Sequence, residues 1–325
     1  MFAKCLARML WSLPLMLCAA LAAAQPYPAK PIKLVVPFPP GGSADIIGRT
    51  LAQRLAEQMG QPVVVENRAG ASAIIGSEFV AKSAPDGYTL LLGNVGSMTI
   101  HPFLYPNLPY DPIKDFAPVT LVGAVTSVVV VTASMPVNSI AELVAWARAN
   151  PGKLNFTSSG AGSSTHLTGE LLRLRSDIKM EHISYKGSAP ALLDLVAGNV
   201  QLMFENLPSV LPHIKAGRVR ALATTAARRS TALPEVPTMI EAGYAGFDMV
   251  SWQGVLVPAG TPPEIVARLN AEIVKALQTR EVREGYARLG VDVLGNTPEQ
   301  FAAYLRQEQA KWSNIVKDAG IKLAQ

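Results

Sequence analysis

The chain contains only two cysteines, Cys5 and Cys18, and both lie near its amino terminus. They fall within a segment that has the order of a secretory signal peptide, with two basic residues, an apolar run and then three alanines at 22–24. We predict cleavage after Ala24. The processed chain would then hold no thiol, no disulfide and no cysteine ligand for a metal ion.

Two other fates of this segment are weaker interpretations. Lipid attachment at Cys18 is disfavoured because Met16 and Leu17 are larger than the residues that usually precede a lipid-bearing cysteine. Retention as a membrane anchor is disfavoured because the apolar run is shorter than a membrane span. Export without disulfides indicates a bacterial periplasmic location, where a chain with a large apolar core can do without them.

The sequence also lacks blocks of like charge. Lysine and arginine outnumber aspartate and glutamate by 29 to 24, and loss of Lys4 and Arg8 with the leader lowers the net charge from +5 to 27 − 24 = +3. Aromatic residues form only 6% of the chain and do not accompany the basic residues, so nucleic-acid binding is not expected. The longest later apolar run, 121–133, is too short to span a membrane and is rich in valine, which indicates a buried strand.

Several catalytic and nucleotide-binding signatures are missing. Neither G-x-G-x-x-G nor G-K-[ST] occurs, which disfavours a nucleotide site. Ser163 and Ser164 stand outside a G-x-S-x-G motif, which disfavours a serine hydrolase. The four histidines occur singly, without an H-x-x-x-H pair, and we expect structural roles for His182 and His213. We therefore predict no catalytic set, no metal and no cofactor.

Strand-like and helix-like patterns alternate along the chain, which is typical of an α/β fold with parallel sheets covered by helices. The middle of the chain has its own set of strands, so the flanking segments must form a second sheet. We predict a discontinuous first domain, residues 25–128 with 248–325, and an inserted second domain, 129–247. Connections near 128–131 and 248–252 would then form a two-stranded hinge between two lobes.

The hydrophobic patterns also give approximate bounds for the individual elements. Strands are predicted at 34–38, 63–65, 88–92, 155–158, 182–185, 200–204, 219–223 and 247–257. Helices are predicted at 47–59, 75–82, 165–174, 190–197, 210–216, 263–277 and 298–319.

Two glycine-rich loops lead from a strand into a helix, at 37–45 and 158–166. The start of a helix has unpaired N–H groups and a partial positive charge, so both loops favour an anionic ligand. Neither loop contains lysine or arginine, which indicates a ligand of modest charge held by neutral dipoles. The candidate ligand-binding residues are Phe38, Gly41, Gly42, Ser43, Ala44 and Asp45 in the first loop, and Ser159, Gly160, Gly162, Ser163, Ser164, Thr165 and His166 in the second.

Asp45 and His166 each have two interpretations. The Asp45 carboxylate would repel a bound anion, so we assign it to fixing the first loop and assign the N–H groups of 42–44 to the ligand; capping of the helix is the simpler alternative. His166 could order the second loop through a hydrogen bond to its backbone. It could also serve only the first turn of its helix.

Two further strand-to-helix turns belong to the same predicted domain as the second loop. In parallel sheets, such turns share the carboxyl edge where ligands bind. They add Tyr185, Lys186, Gly187 and Ser188, and then Glu205 and Asn206, to the candidate ligand-binding residues. Each turn also has a simpler interpretation. The turn at 185–188 could be a plain connector with a solvated lysine, and Glu205 and Asn206 could merely cap the next helix.

The residues of these turns belong to a wider set of motifs: P-F-P-P-G-G-S-A-D at 37–45, V-E-N-R-A-G-A at 65–71, A-P-D-G-Y-T-L at 84–90, G-A-G-S-S-T-H at 160–166, Y-K-G-S-A-P at 185–190 and L-P-E-V-P-T at 233–238. Through these motifs the chain resembles the Bug-type solute-binding receptors of the tripartite tricarboxylate transporter family. The resemblance implies a two-lobed periplasmic binding protein, type II-like, that closes over a carboxylate. The glycine-rich loops would act as pincers, with ordered water around one carboxylate.

By this resemblance the partners are a small carboxylate and the membrane permease subunits of a transporter, and the receptor is a monomer. Two positions depart from the usual family pattern: Glu205, where aspartate is frequent, and His101, where asparagine is frequent. The ligand of another member therefore cannot be assigned to this chain. Two other functions stay open, a ligand sensor that signals to a sensor kinase and, least favoured, a periplasmic hydrolase that uses Ser163 or Ser164 with His166.

Overall fold

A computed structural model of the chain describes residues 27–318. The predicted signal peptide, its cleavage site after Ala24 and both cysteines lie outside the described residues. Ten strands are present within this range: β1 Ile32–Val36, β2 Val63–Asn67, β3 Thr89–Asn94, β4 Phe116–Thr132, β5 Leu154–Thr157, β6 Met180–Ile183, β7 Leu202–Asn206, β8 Val219–Thr224, β9 Val250–Pro258 and β10 Val291–Val293.

The α-helices of the same range are α1 Ser43–Met59, α2 Ile74–Ala81, α3 His101–Leu104, α4 Ile140–Ala149, α5 Ser164–Ser176, α6 Ser188–Ala197, α7 Leu207–Lys215, α8 Pro263–Gln278, α9 Arg280–Arg288 and α10 Pro298–Asp318. A 3₁₀ turn, Ala71–Ala73, precedes α2, and a π turn, Gly96–Ile100, precedes α3. In this part of the chain no helix combines the length and the apolar character that a membrane crossing requires.

The strands form two sheets that share β4. The order along the hydrogen-bonded path is β2-β1-β3-β9-β4-β7-β5-β6, and β8 and β10 also pair with β4. The pairs of β1 with β2 and β3, and of β5 with β6 and β7, are parallel, as predicted. All pairs made by β4 and β9 are antiparallel, which the prediction of parallel sheets missed. Hydrophobic alternation identifies a strand but carries no information on its direction.

The long strand β4 lies at the junction of the two sheets. Thr126 pairs with Val250 of β9, and the next residue, Ser127, pairs with Asn206 of β7. The pairing partner therefore changes next to the predicted hinge at 128–131. The division of the chain into domains 25–128 with 248–325 and 129–247 stays a prediction.

The predicted buried strand at 121–133 is confirmed, and it extends back to Phe116. The four valines 128–131 are completely inaccessible to solvent, because the sheet has packed layers on both faces at this point. Alternate valines enter different hydrophobic clusters, with Val129 and Val131 in one and Val128 and Val130 in another. This strand thus contributes side chains to the packed layers on both of its faces.

Besides the four-residue α3, two helices are absent from the sequence prediction, α4 and α9. The first is capped by Ser139, whose hydroxyl accepts a hydrogen bond from the Glu142 N–H. The second is mostly polar and buries only Val282 and Tyr286, four residues apart. So short an apolar stripe is a weak periodic signal.

Candidate functional site

The first glycine-rich loop connects β1 to α1 and is held by Asp45. The Gly41 N–H donates to Asp45 Oδ2 (3.0 Å), and Asn67 Nδ2 donates both to Asp45 Oδ1 (2.9 Å) and to the Phe38 carbonyl (3.0 Å). Gly41 has φ +83°, a conformation that favours glycine. Burial opposes ionisation of Asp45, but hydrogen bonds from Arg49, Gly41 and Asn67 outweigh it and lower the pKa of the carboxyl. Asp45 therefore makes the loop-fixing contact assigned to it.

Behind this loop, α1 presents free backbone donors. Its first internal hydrogen bond joins the Ile46 N–H to the Gly42 carbonyl (3.1 Å). The N–H groups of Ser43 and Ala44 precede that bond, and an α-helix supplies no acceptor for them. They lie at the positive end of the helix dipole, at a surface where an anion is favoured.

The second glycine-rich loop connects β5 to α5 and is ordered by His166. The Gly162 N–H donates to His166 Nδ1 (3.1 Å), and the His166 N–H donates to the Ser163 hydroxyl (3.2 Å). The imidazole stacks on His182, with ring centroids 3.9 Å apart. Burial lowers the pKa of His166 to about 4, so the ring is neutral near pH 7 and its proton is on Nε2.

The two loops meet at a cleft with about 560 Å³ of empty space, including its mouth. Nine of the predicted ligand-binding residues line it: Phe38, Gly42, Ser43, Ala44, Ser159, Ser163, Ser164, Ser188 and Asn206. Eight further lining residues are not among the predicted ligand-binding residues, although Pro39 lies in the first predicted loop and His101 is one of the two departures from the family pattern: Pro39, Ser72, Asn94, Val95, Gly96, His101, Ser251 and Gln253. Among these residues there is no lysine, arginine, aspartate or glutamate, so within the described part of the chain the cleft wall is neutral.

Five predicted residues do not line the cleft but belong to the loops that form it. Asp45 and Gly41 hold the first loop, and Gly160, Gly162 and Thr165 belong to the folded interior of the second. The Thr165 hydroxyl accepts the Ser159 N–H (3.1 Å). His166 also lies outside the lining, consistent with its contact to the loop backbone.

The third turn contributes Ser188 to the cleft but not its first three residues. The Tyr185 hydroxyl donates to Asp194 Oδ2 (2.5 Å), and Lys186 is exposed. Gly187 is pressed against the first loop, since a Cβ in its place would lie 2.9 Å from Pro39 Cδ. These three residues line a second, outer cavity that shares four lining residues with the cleft: Phe38, Pro39, Ser72 and Ser159.

Glu205 is fully buried beside the cleft without lining it. Its Oε1 accepts the Asn206 N–H (2.9 Å), and its Oε2 makes no hydrogen bond to the protein. Burial raises the pKa of this carboxyl to about 7, against the opposing effect of the Asn206 N–H. Asn206 is oriented by Ser127, whose hydroxyl donates to Asn206 Oδ1 (2.8 Å).

A bridge between two segments closes the cleft at Ser72. The Ser72 hydroxyl donates to the carbonyl of Ala161 in the second loop (2.6 Å). Ala71, Ser72 and Ala73 all have positive φ, at 44°, 51° and 83°, and none is glycine. Such a conformation costs about 1–2 kcal/mol per residue, so surrounding contacts must hold this turn in place.

The geometry does not place a serine hydroxyl against a free histidine nitrogen, which a serine hydrolase needs. The Ser163 hydroxyl contacts the Thr165 hydroxyl (3.0 Å), and the Ser164 hydroxyl contacts that of Ser251 (2.7 Å). The Nδ1 atom of His166 is occupied by the Gly162 N–H. In residues 27–318 no group of three or more histidine or acidic side chains is arranged to hold a metal ion.

Comparisons with known proteins agree with this fold. The family model described as tripartite tricarboxylate transporter family receptor matches residues 47–321. Protein BugT of Bordetella pertussis is 44% identical over 306 residues, which are 94% of each chain.

Two solved structures resemble the protein over most of its length. The periplasmic binding protein BugD has a TM-score of 0.88 at 36% identity, covering 91% of this chain and 99% of that one. Rpa4515 of R. palustris with adipate has a TM-score of 0.89 at 38% identity, with the same two coverages. The predicted resemblance to Bug-type receptors is confirmed, and the fold is that of a periplasmic binding protein. The chain belongs to the receptor family of the tripartite tricarboxylate transporters.

Proposed function

We propose that the protein is a non-enzymatic periplasmic receptor that binds a small carboxylate in the cleft and delivers it to the permease subunits of a membrane transporter. The main support is the start of α1, where the free N–H groups of Ser43 and Ala44 face a neutral, serine-rich cleft. A carboxylate needs several donors, and it does not need a cation when backbone dipoles supply them. The adipate bound by Rpa4515 is a ligand of this chemical class.

The same argument disfavours larger polyanions. A nucleotide or a sugar phosphate carries more charge than two helix starts and a few hydroxyls can offset, and no arginine or lysine lines the cleft in the described residues. We therefore expect mono- and dicarboxylates to bind, and phosphate esters and neutral sugars not to bind.

A thermal-shift panel tests this proposal. A carboxylate at about a hundred times its Kd should stabilise the native state by roughly 2.7 kcal/mol, a shift of about 4 °C for a chain of this size. Gly42→Val should abolish the shift, because the branched side chain would occupy the approach to the start of α1. Gly42→Ala is the matched control, since its Cβ would lie an acceptable 3.7 Å from Ser188 Oγ.

The proposal fails if no carboxylate in the panel raises the melting temperature. It also fails if Gly42→Val binds as tightly as Gly42→Ala. Melting of both variants without ligand shows whether a lost shift reflects the cleft or a loss of folding.

Delivery to a transporter requires export, and we propose that the leader is cleaved after Ala24. The support is the order of basic residues, apolar run and alanines at the amino terminus. The exported protein should then begin at Gln25. An intact mass that retains Met1, or that carries a lipid on Cys18, would contradict this proposal.

A further inference from the structure

The inner wall of the cleft carries a buried histidine without a hydrogen-bond partner. Strand β3 ends at Asn94, and the π turn leads into α3, which begins with His101. The His101 side chain is only 1% exposed, and within residues 27–318 neither of its ring nitrogens has a hydrogen-bond partner. Its ring contacts Tyr105 edge to face, with centroids 5.0 Å apart. Packing thus fixes the ring without satisfying its polar atoms.

The Nε2 atom of His101 faces the cleft through the gap that Gly96 leaves. A Cβ placed on Gly96 would lie 3.7 Å from His101 Nε2 and 3.9 Å from Ser163 Cα. Ser163 belongs to the second glycine-rich loop, so His101 and this loop border the same space. A ligand held by the helix starts would therefore extend toward the His101 ring.

A second unpartnered polar group stands on the neighbouring strand. Gln253 of β9 is the direct partner of Asn94 in the sheet, and both residues line the cleft. Gln253 is 2% exposed, and its Oε1 atom makes no hydrogen bond to any residue that the structure describes. Leaving such a buried polar group unpaired destabilises the protein, and a well-placed ligand group would remove that cost.

The hydrogen-bond donors and acceptors of His101 and Gln253 determine which ligand group can pair with them. Burial lowers the pKa of His101 to about 3, so the ring is neutral and offers one donor and one acceptor. The Gln253 amide offers a further acceptor through its oxygen and further donors through its nitrogen. A carboxylate only accepts hydrogen bonds, so it would leave the acceptors unpaired. A hydroxyl group both donates and accepts, and it needs no cation.

We infer that the inner wall formed by His101 and Gln253 recognises a hydroxyl group of the ligand, so that the preferred ligands are hydroxycarboxylates, with His101 as the specificity-determining residue. This inference rests on the proposed function, since the carboxylate is placed at the glycine-rich loops. It concerns the opposite end of the ligand, and the two can be tested separately.

The test compares acids that differ by one hydroxyl, namely malate with succinate and 3-hydroxybutyrate with butyrate. Calorimetric titration of the mature chain should give a Kd lower for the hydroxy acid by at least about tenfold, because the acid without the hydroxyl leaves buried groups unpaired. His101→Leu should bring the ratio of the two Kd values close to one. His101→Asn keeps a donor and an acceptor and should retain part of the preference.

His213→Leu is the matched control. His213 lies in α7, outside the cleft lining, and its replacement should leave the wild-type ratio. The inference is overturned if the wild type shows no preference within either pair, or if His101→Leu keeps the full preference. Failure of every carboxylate to bind the wild type would instead overturn the proposed receptor function. Melting curves without ligand establish that each variant is folded, and if the leucine variant is not, His101→Phe, which also lacks both ring nitrogens and keeps a ring against Tyr105, replaces it.

Discussion

Replacement of Glu205 by glutamine should remove a pH dependence of stability that the wild-type protein derives from burial of this carboxyl. Glu205 is completely inaccessible to solvent, and burial raises its pKa to about 7 from the usual 4.5. The folded protein therefore favours the protonated form more strongly than the unfolded chain does. Glutamine has nearly the same shape, can still accept the Asn206 N–H and does not titrate.

Whether stability rises or falls with pH follows from the direction of the change in the Glu205 pKa. Because the folded value lies above the unfolded value, the stabilising contribution of protonated Glu205 is complete below about pH 4.5 and is lost as the pH rises through about 7. The full difference between the two values corresponds to about 3 kcal/mol. Between about pH 5 and about pH 8 the wild type should thus lose roughly 2–3 kcal/mol relative to Glu205→Gln.

Urea unfolding of both proteins at several pH values in this range measures the difference. Burial lowers the pKa of His101, His166 and His182, which adds an opposite pH dependence that both proteins share and that cancels in the comparison. Glu181→Gln, at an exposed position of β6, is the control. Parallel stability curves for wild type and Glu205→Gln would refute the reasoning.

Two further predictions concern closure of the cleft. Ser72→Ala removes the hydrogen bond to the Ala161 carbonyl, so ligand affinity should fall by about fivefold, equivalent to about 1 kcal/mol, in a calorimetric titration; an unchanged Kd would show that this bridge does not hold the closed form. The predicted hinge at 128–131 and 248–252 implies that a saturating carboxylate makes the protein more compact, and superimposable small-angle scattering profiles with and without ligand would argue for a rigid receptor.

The sequence predicted the two glycine-rich loops of the cleft, because short-range sequence patterns identify them. Proline and glycine between an apolar strand and an amphipathic helix identify the loops at 37–45 and 158–166, because each turn depends on residues close to it in the chain. The same signals placed Lys186 in the site, but the structure leaves its side chain exposed at the outer cavity. Backbone position at a sheet edge does not determine where a long side chain lies.

The inner wall could not be predicted in the same way. Asn94 and Gln253 become neighbours only because β3 pairs antiparallel with β9, a contact between residues more than 150 positions apart. Gln253 does carry a signal, as a polar residue inside the apolar strand V-S-W-Q-G-V, and His101 was noted as a departure from the family pattern. The positive φ of Ala71 and Ser72 has no local signal, since neither is a residue that favours this conformation.

The shared strand β4 has a consequence for how the protein unfolds. Val128 and Val130 belong to a hydrophobic cluster that β4 forms with β7 and β8, while Val119, Val122 and Val125 of the same strand belong to a cluster formed with β1, β3 and β9. Neither predicted domain can lose its part of β4 without removing packing from the other, so the two predicted domains should unfold in a single cooperative transition rather than one after the other. Damage to the core of one predicted domain should therefore lower the stability of the whole protein, including the part of the cleft that the damage never touches.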